Sequence, residues 1–124
     1  MTEQGERRRE IRLSTTGDGY QVSFRCRERS VTRAKLVNVS ACGCGLEIPM
    51  GEVRDLDTGS VLEDCFLLHP DLPCVPLWCT VARMLGKVPG KTNGYVLVGV
   101  EFTLITPFVQ QLIRAHVEAH AGGS

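Results

Sequence analysis

Residues 20–26 read Tyr-Gln-Val-Ser-Phe-Arg-Cys. Tyr20, Val22, Phe24 and Cys26 fall on one phase, and Gln21, Ser23 and Arg25 on the other. A period of two sends alternate side chains to opposite faces of an extended chain, so this segment is a half-buried strand. The same signature recurs downstream. Charged residues 27–33 predict the turn of a hairpin. Lys35 to Val39 resumes a strand that runs into Ser40-Ala41-Cys42-Gly43-Cys44-Gly45. Leu46 and Ile48 make a short third strand, stopped by Pro49. An acidic loop over 49–59 leads to a fourth strand, Val61 to Leu68. His69 to Pro73 is a turn, because proline is excluded from central strands. Val75 to Met84 is the fifth strand. Gly86 to Gly94, with Pro89-Gly90 and Asn93-Gly94, is a hairpin loop. Val96, Val98, Val100 and Phe102 alternate again as the sixth strand.

The chain then changes period. Thr106-Pro107 is a helix start, with Thr as N-cap and Pro in the first helical position. Phe108, Val109, Leu112, Ile113 and Val117 follow as an apolar stripe of helical spacing, so residues about 107–120 form a helix that covers one end or face of the sheet. Six short antiparallel strands and one C-terminal helix predict an all-β chain folded as a small barrel. Residues 1–19 have no periodicity and end in Thr15-Thr16-Gly17-Asp18-Gly19, a turn signal. They read as a flexible N-terminal arm, and 20–121 as the barrel unit.

A length of 124 residues fits one domain with an ordinary core. No run approaches the eighteen or so apolar residues needed to span a bilayer, and the polar start lacks the apolar centre of a signal peptide. These features predict a cytoplasmic protein without membrane insertion. Six cysteines are then expected as reduced thiols, with Cys26, Cys65 and Cys79 acting as small buried hydrophobes.

The formal net charge is zero but unevenly spread. Residues 1–37 carry nine Arg or Lys against five acids, and eight of the nine are Arg. The guanidinium fork matches phosphate oxygens and stacks on flat rings. A neutral chain with an Arg-rich end points to a local anionic ligand and away from DNA or RNA, which call for a domain-wide basic surface. Two clusters concentrate this chemistry. One is Arg7-Arg8-Arg9-Glu10-Ile11-Arg12, containing Arg8-x-x-x-Arg12. The other is Asn38-Val39-Ser40-Ala41-Cys42-Gly43 at the exit of the second strand. The arm can wrap a ligand and offer each phosphate a bidentate pair. Guanidinium groups also suit the O6/N7 edge of guanine. The Ser-x-x-Gly turn brings a hydroxyl and backbone N–H groups to the same end, and Gly43 permits close approach. Arg83, ending the fifth strand, faces the same region.

With these motifs in order, the chain resembles the PilZ domain, the bacterial receptor module for cyclic di-GMP. That family is marked by Arg-x-x-x-Arg in an N-terminal arm and by Asp/Asn-x-Ser-x-x-Gly after the second strand. Arg8 and Arg12 match the first motif; Asn38, Ser40 and Gly43 match the second. Gly59 to Leu62, Val81-Ala82-Arg83, Val98 to Phe102 and the C-terminal helix fall where the family has counterparts. The resemblance implies a six-stranded PilZ-type barrel that binds cyclic di-GMP without catalysis or a further cofactor. It also implies an arm that rearranges on binding, so that a protein partner in a motility, secretion or biofilm output reads the change. The ligand residues it suggests are Arg7, Arg8, Arg9, Arg12, Asn38, Ser40 and Gly43, with Arg83 added by position. Asn38 stands where Asp is commoner, and Cys42 where a second Gly is frequent. In this family the residue before the arginine motif influences whether one nucleotide or a stacked pair binds. Arg7 there favours an intercalated pair. A monomer or weak homodimer is expected.

Other readings leave less of the sequence explained. A PilZ-fold interaction module that has lost nucleotide binding is the alternative, kept open by Asn38. An RNA-binding barrel would need exposed aromatics for stacking. The chain has seven, and Tyr20, Phe24 and Phe102 point inward by phase. Trp78 reads as core or interface. Cys42-x-Cys44 lacks the paired spacing of a zinc site, and His116 and His120 lack an accompanying HExxH pattern. No P-loop or nucleophile–histidine motif marks an enzyme.

Overall fold

The computed structural model describes residues 11–15 and 19–121. Its strands are β1 (Leu13–Ser14), β2 (Gln21–Cys26), β3 (Arg29–Val39), β4 (Gly43–Pro49), β5 (Val61–Leu68), β6 (Leu77–Leu85) and β7 (Tyr95–Leu104), followed by helix α1 (Pro107–Ala121). A single 3-10 turn, Met50–Glu52, follows β4. The neighbours run β3-β2-β5-β6-β7-β4, and β4 pairs back onto β3, so six antiparallel strands close into a barrel. Closure leaves no long unpaired edge. β1 lies beyond the start of β2 along the same edge of β3, with Leu13 opposite Val39 and Ser14 opposite Asn38.

The alternating phases point where their period requires. Val22, Leu36, Leu46, Ile48, Leu62, Leu67, Cys79, Val81, Val96 and Val98 fill the interior and are almost wholly shielded from water. Each such burial is worth about 1.5–3 kcal/mol for a Val, Leu or Ile side chain. Cys26, Cys44, Cys65 and Cys79 are buried free thiols. The Cys65 side chain hydrogen-bonds the Cys79 thiol, and that bond together with burial pushes Cys79 far up. Burial likewise raises Cys44. Both are held as neutral packing groups, since the thiolate is the reactive form.

Three expectations are corrected. Residues 27–33 are not a long turn. Only Arg27 and Glu28 turn, and Arg29 already begins β3. Extra residues in β3 and β5 are taken up by bulges. Arg33 takes φ +68° where the β2–β3 register shifts between Val22 and Phe24. Asp64 takes φ +50° beside the shifts in β5, and its carboxylate accepts from Arg25 at 3.0 Å. The third strand starts at Gly43 rather than Leu46, and the residues read wholly as arm include β1.

Thr106 caps α1 as expected, its hydroxyl accepting from Val109 N–H at 3.2 Å. The apolar stripe divides, however. Ile113 and Val117 are buried, whereas Phe108 is 72% exposed and Leu112 41%. Trp78 is also on the surface, opposite Leu104 on β7. A compact aromatic joint fastens α1 to the barrel. The Tyr20 hydroxyl and His116 Nε2 are hydrogen-bonded at 2.8 Å. Tyr20 stacks on His69 with ring centroids 3.8 Å apart, and His120 packs on His116 at 4.2 Å. Burial, reinforced by His120 and His69 and opposed by Asp71, lowers the His116 pKa. The joint therefore favours the neutral form of this imidazole.

Candidate functional site

The second motif begins with a turn that organises itself. Ser40 is fully buried. Its Oγ accepts from the N–H groups of Cys42 and Gly43, both at 3.2 Å, and its own N–H donates to the Gly43 carbonyl at 2.8 Å. Such a hydroxyl-centred turn is a local alternative to the strand ladder. Gly43 is demanded by what lies behind it. A Cβ there would stand 2.2 Å from the Val100 carbonyl oxygen, so β4 can leave the turn against β7 only without a side chain. Gln110 of α1 donates to the Ala41 carbonyl at 3.1 Å and ties the helix to the same turn.

Just upstream, β3 carries one residue more than β4 between Leu36 and Asn38. A bulge of this kind re-aims the side chains that follow it. Asn38 consequently pairs with Gly45, while Val39 and Cys44 both turn into the core. Gly45 pairs with Gly99 of β7, and Gly99 with Arg83 of β6. The barrel wall therefore carries a continuous row across four strands: Asn38, Gly45, Gly99, Arg83. The two central positions bear no side chain. The Asn38 amide leans over Gly45, where an added Cβ would meet it at 2.7 Å, and the Arg83 stem covers Gly99 at 3.4 Å. The row lies in a cleft of about 380 Å³, lined also by Arg12, Ala82 and Glu101.

β1 delivers the arm to this cleft. Because Ser14 pairs with Asn38, Arg12 lies beside the row, and its guanidinium donates to Asn38 Oδ1 at 2.7 Å. Arg12, Asn38 and Arg83 are thus brought together, whereas Ser40 and Gly43 lie beneath as the frame of the turn. Arg7, Arg8 and Arg9 lie outside the described residues. Gly45, Gly99 and Glu101 did not emerge from the sequence. Gly45 reads there as part of a turn and Gly99 as an ordinary position of the sixth strand. Only the register of β4 against β7 reveals that they meet.

A second, larger cleft of about 540 Å³ lies at the far end of β3, lined by Cys26, Arg27, Glu28, Arg29 and Asp55. Arg29 is already paired with Asp55 at 3.4 Å, and no described residue of either motif lines this cleft. Among the described residues, no His, Cys, Asp or Glu group has the arrangement of a metal centre, and no helix is long and apolar enough to cross a membrane.

No protein-family model matches the sequence, and no curated protein does. Solved structures do match. The PilZ domain of YcgR from Escherichia coli, determined with cyclic di-GMP, superposes with a TM-score of 0.68 at 14% identity, covering 95% of this chain and 99% of that one. The Bacillus subtilis inhibitor of motility MotI gives 0.72 at 16% identity, covering 94% of this chain and 52% of that one. The complex of K. pneumonia MrkH with cyclic di-GMP gives 0.69 at 14%, covering 92% and 52%. The chain thus spans about half the length of the MotI and MrkH chains and nearly all of the YcgR domain. At such identities the likeness lies in architecture, and that architecture, a closed six-stranded barrel with one C-terminal helix, makes this chain a domain of PilZ fold.

Proposed function

We propose that the chain is a receptor for cyclic di-GMP, binding it between the arginine-rich arm and the row of Asn38, Gly45, Gly99 and Arg83. One observation carries this reading: the side-chain-free floor of the row lies where β1 presents Arg12, the last arginine of the arm. A flat base can stack on the Asn38 amide and the Arg83 stem that lie over the two glycines, and guanidinium groups at its margins meet both phosphate and the O6/N7 edge of guanine. Structural neighbours bound to the same nucleotide, YcgR and MrkH, support the choice of ligand. Ser40 and Gly43 contribute by holding the turn from which Asn38 is displayed. Arg7, Arg8 and Arg9 close over the nucleotide from the arm, and the extra arginine at position 7 favours a stacked pair. The chain performs no chemistry. Its output is the change of arm and surface on ligand binding, which a protein partner reads.

Calorimetric titration with cyclic di-GMP tests this. The expected result is micromolar or tighter binding with two nucleotides per chain. Arg8→Ala and Arg12→Ala should each weaken it at least about 10-fold, the loss of a charge-assisted pair. Absence of heat for the wild type, confirmed by equilibrium dialysis, would overturn the receptor reading and leave a protein-interaction module of the same fold.

A further inference from the structure

The cleft contains one residue whose charge opposes its surroundings. Among the described residues, Glu101 is the sole carboxylate lining it, alongside Arg12 and Arg83. It follows Gly99 by two residues on β7, so it shares the outward face of the row and forms its flank, opposite Gly43 on one side and Thr80 on the other. Among the described residues its carboxylate has no ion pair and no side-chain hydrogen bond, whereas Asp55, Glu63 and Asp64 are each paired with an arginine. An unpaired carboxylate facing a phosphate ligand would cost affinity by like-charge repulsion unless the ligand also supplies donors.

Guanine supplies them. Its O6/N7 edge accepts and suits arginine, whereas its opposite edge places N1–H and the 2-amino group side by side, a pair of donors matched to the two oxygens of a carboxylate. Asn38 matches that edge less well, because its carbonyl oxygen already accepts from Arg12, which leaves one lone pair against two donors, and its remaining group is a donor. We propose that Glu101 reads guanine in this cleft by accepting from N1–H and the 2-amino group, an assignment that rests on the cyclic di-GMP reading above. Arg12 and Arg83 then answer the anionic parts of the ligand while Glu101 selects the base. Adenine, which presents an acceptor at N1, is rejected by the same carboxylate.

The test pairs a variant with an altered ligand. Glu101→Gln keeps the size of the side chain and removes its charge. Cyclic di-IMP keeps the phosphates and rings of cyclic di-GMP and lacks only the 2-amino groups. Calorimetry should show the wild type preferring cyclic di-GMP over cyclic di-IMP by about 10-fold, the scale of a charge-assisted hydrogen bond. Glu101→Gln should bind cyclic di-GMP about 10-fold more weakly and hold the two ligands within about 2-fold of each other. A variant that keeps the wild-type preference would overturn the assignment, whether it binds both ligands as before or loses both equally. A wild type that binds cyclic di-GMP with no preference over cyclic di-IMP would overturn it as well. No binding of cyclic di-GMP by the wild type would instead bring down the receptor reading, and this assignment with it.

Discussion

Gly43 is the residue on which the local geometry turns. In the sequence it is the last letter of Asn-x-Ser-x-x-Gly, and a glycine there suggests a backbone that approaches a ligand. In the folded chain its lack of a side chain first serves β7, whose Val100 carbonyl occupies the space a Cβ would need. Ser40 is similar: its hydroxyl is legible as a polar group in a turn, but among its partners are the N–H groups and the Gly43 carbonyl of its own turn. The motif was therefore readable as a unit, and its internal division into frame and face was not. That division depends on which atoms β7 brings alongside, information that no spacing within β3 and β4 contains. Gly43→Ala should be costly for this reason. We expect about 2–3 kcal/mol of lost stability, the upper range for forcing extra atoms into a packed site, read as a fall in the urea midpoint. A midpoint within error of wild type would show that β4 and β7 can separate there without penalty.

At the scale of elements, strand and helix periods were both legible because burial imposes them. Tyr20 to Cys26 and Val96 to Phe102 alternate, and both are strands at nearly those limits. The sequence is silent where the chain breaks its own period. β1 has two residues, too few for any alternation. The bulges at Arg33 and Asp64 place non-glycine residues at positive φ, so the usual glycine signal is missing, and charged β3 residues imitate a loop. In α1 the stripe of helical spacing is wider than the face that is covered. Ile113, His116 and Val117 meet the barrel, and Phe108 and Leu112 do not. A truncation series separates the two halves. Ile113→Ala should cost about 3 kcal/mol, as for other fully buried aliphatic residues. Phe108→Ala should change stability by no more than about 0.5 kcal/mol, as at ordinary surface positions. Comparable losses at both sites would mean that α1 buries its whole stripe.

For the molecule as a whole, the barrel explains why residues far apart in sequence form one surface. Asn38, Gly45, Gly99 and Arg83 come from four strands and become a row because the barrel closes with β4 between β3 and β7. Arg12 joins it because β1 extends the edge of β3. From sequence, the two ends of the row and the arm were visible as polar residues in suggestive motifs. The glycine floor and Glu101 were not, since a glycine within a strand and a glutamate on an outward phase are each unremarkable until their neighbours are known. Both proposals, a nucleotide lying on that floor and a carboxylate reading its base, stand or fall on where the ligand binds. The most direct measurement is a titration of isotopically labelled protein with cyclic di-GMP followed by amide NMR shifts. Saturable shifts are expected, centred on Asn38, Gly45, Arg83, Gly99 and Glu101 and on residues 7–12. No shifts, or shifts centred on the Cys26–Arg29 cleft at the far end of β3, would contradict both proposals.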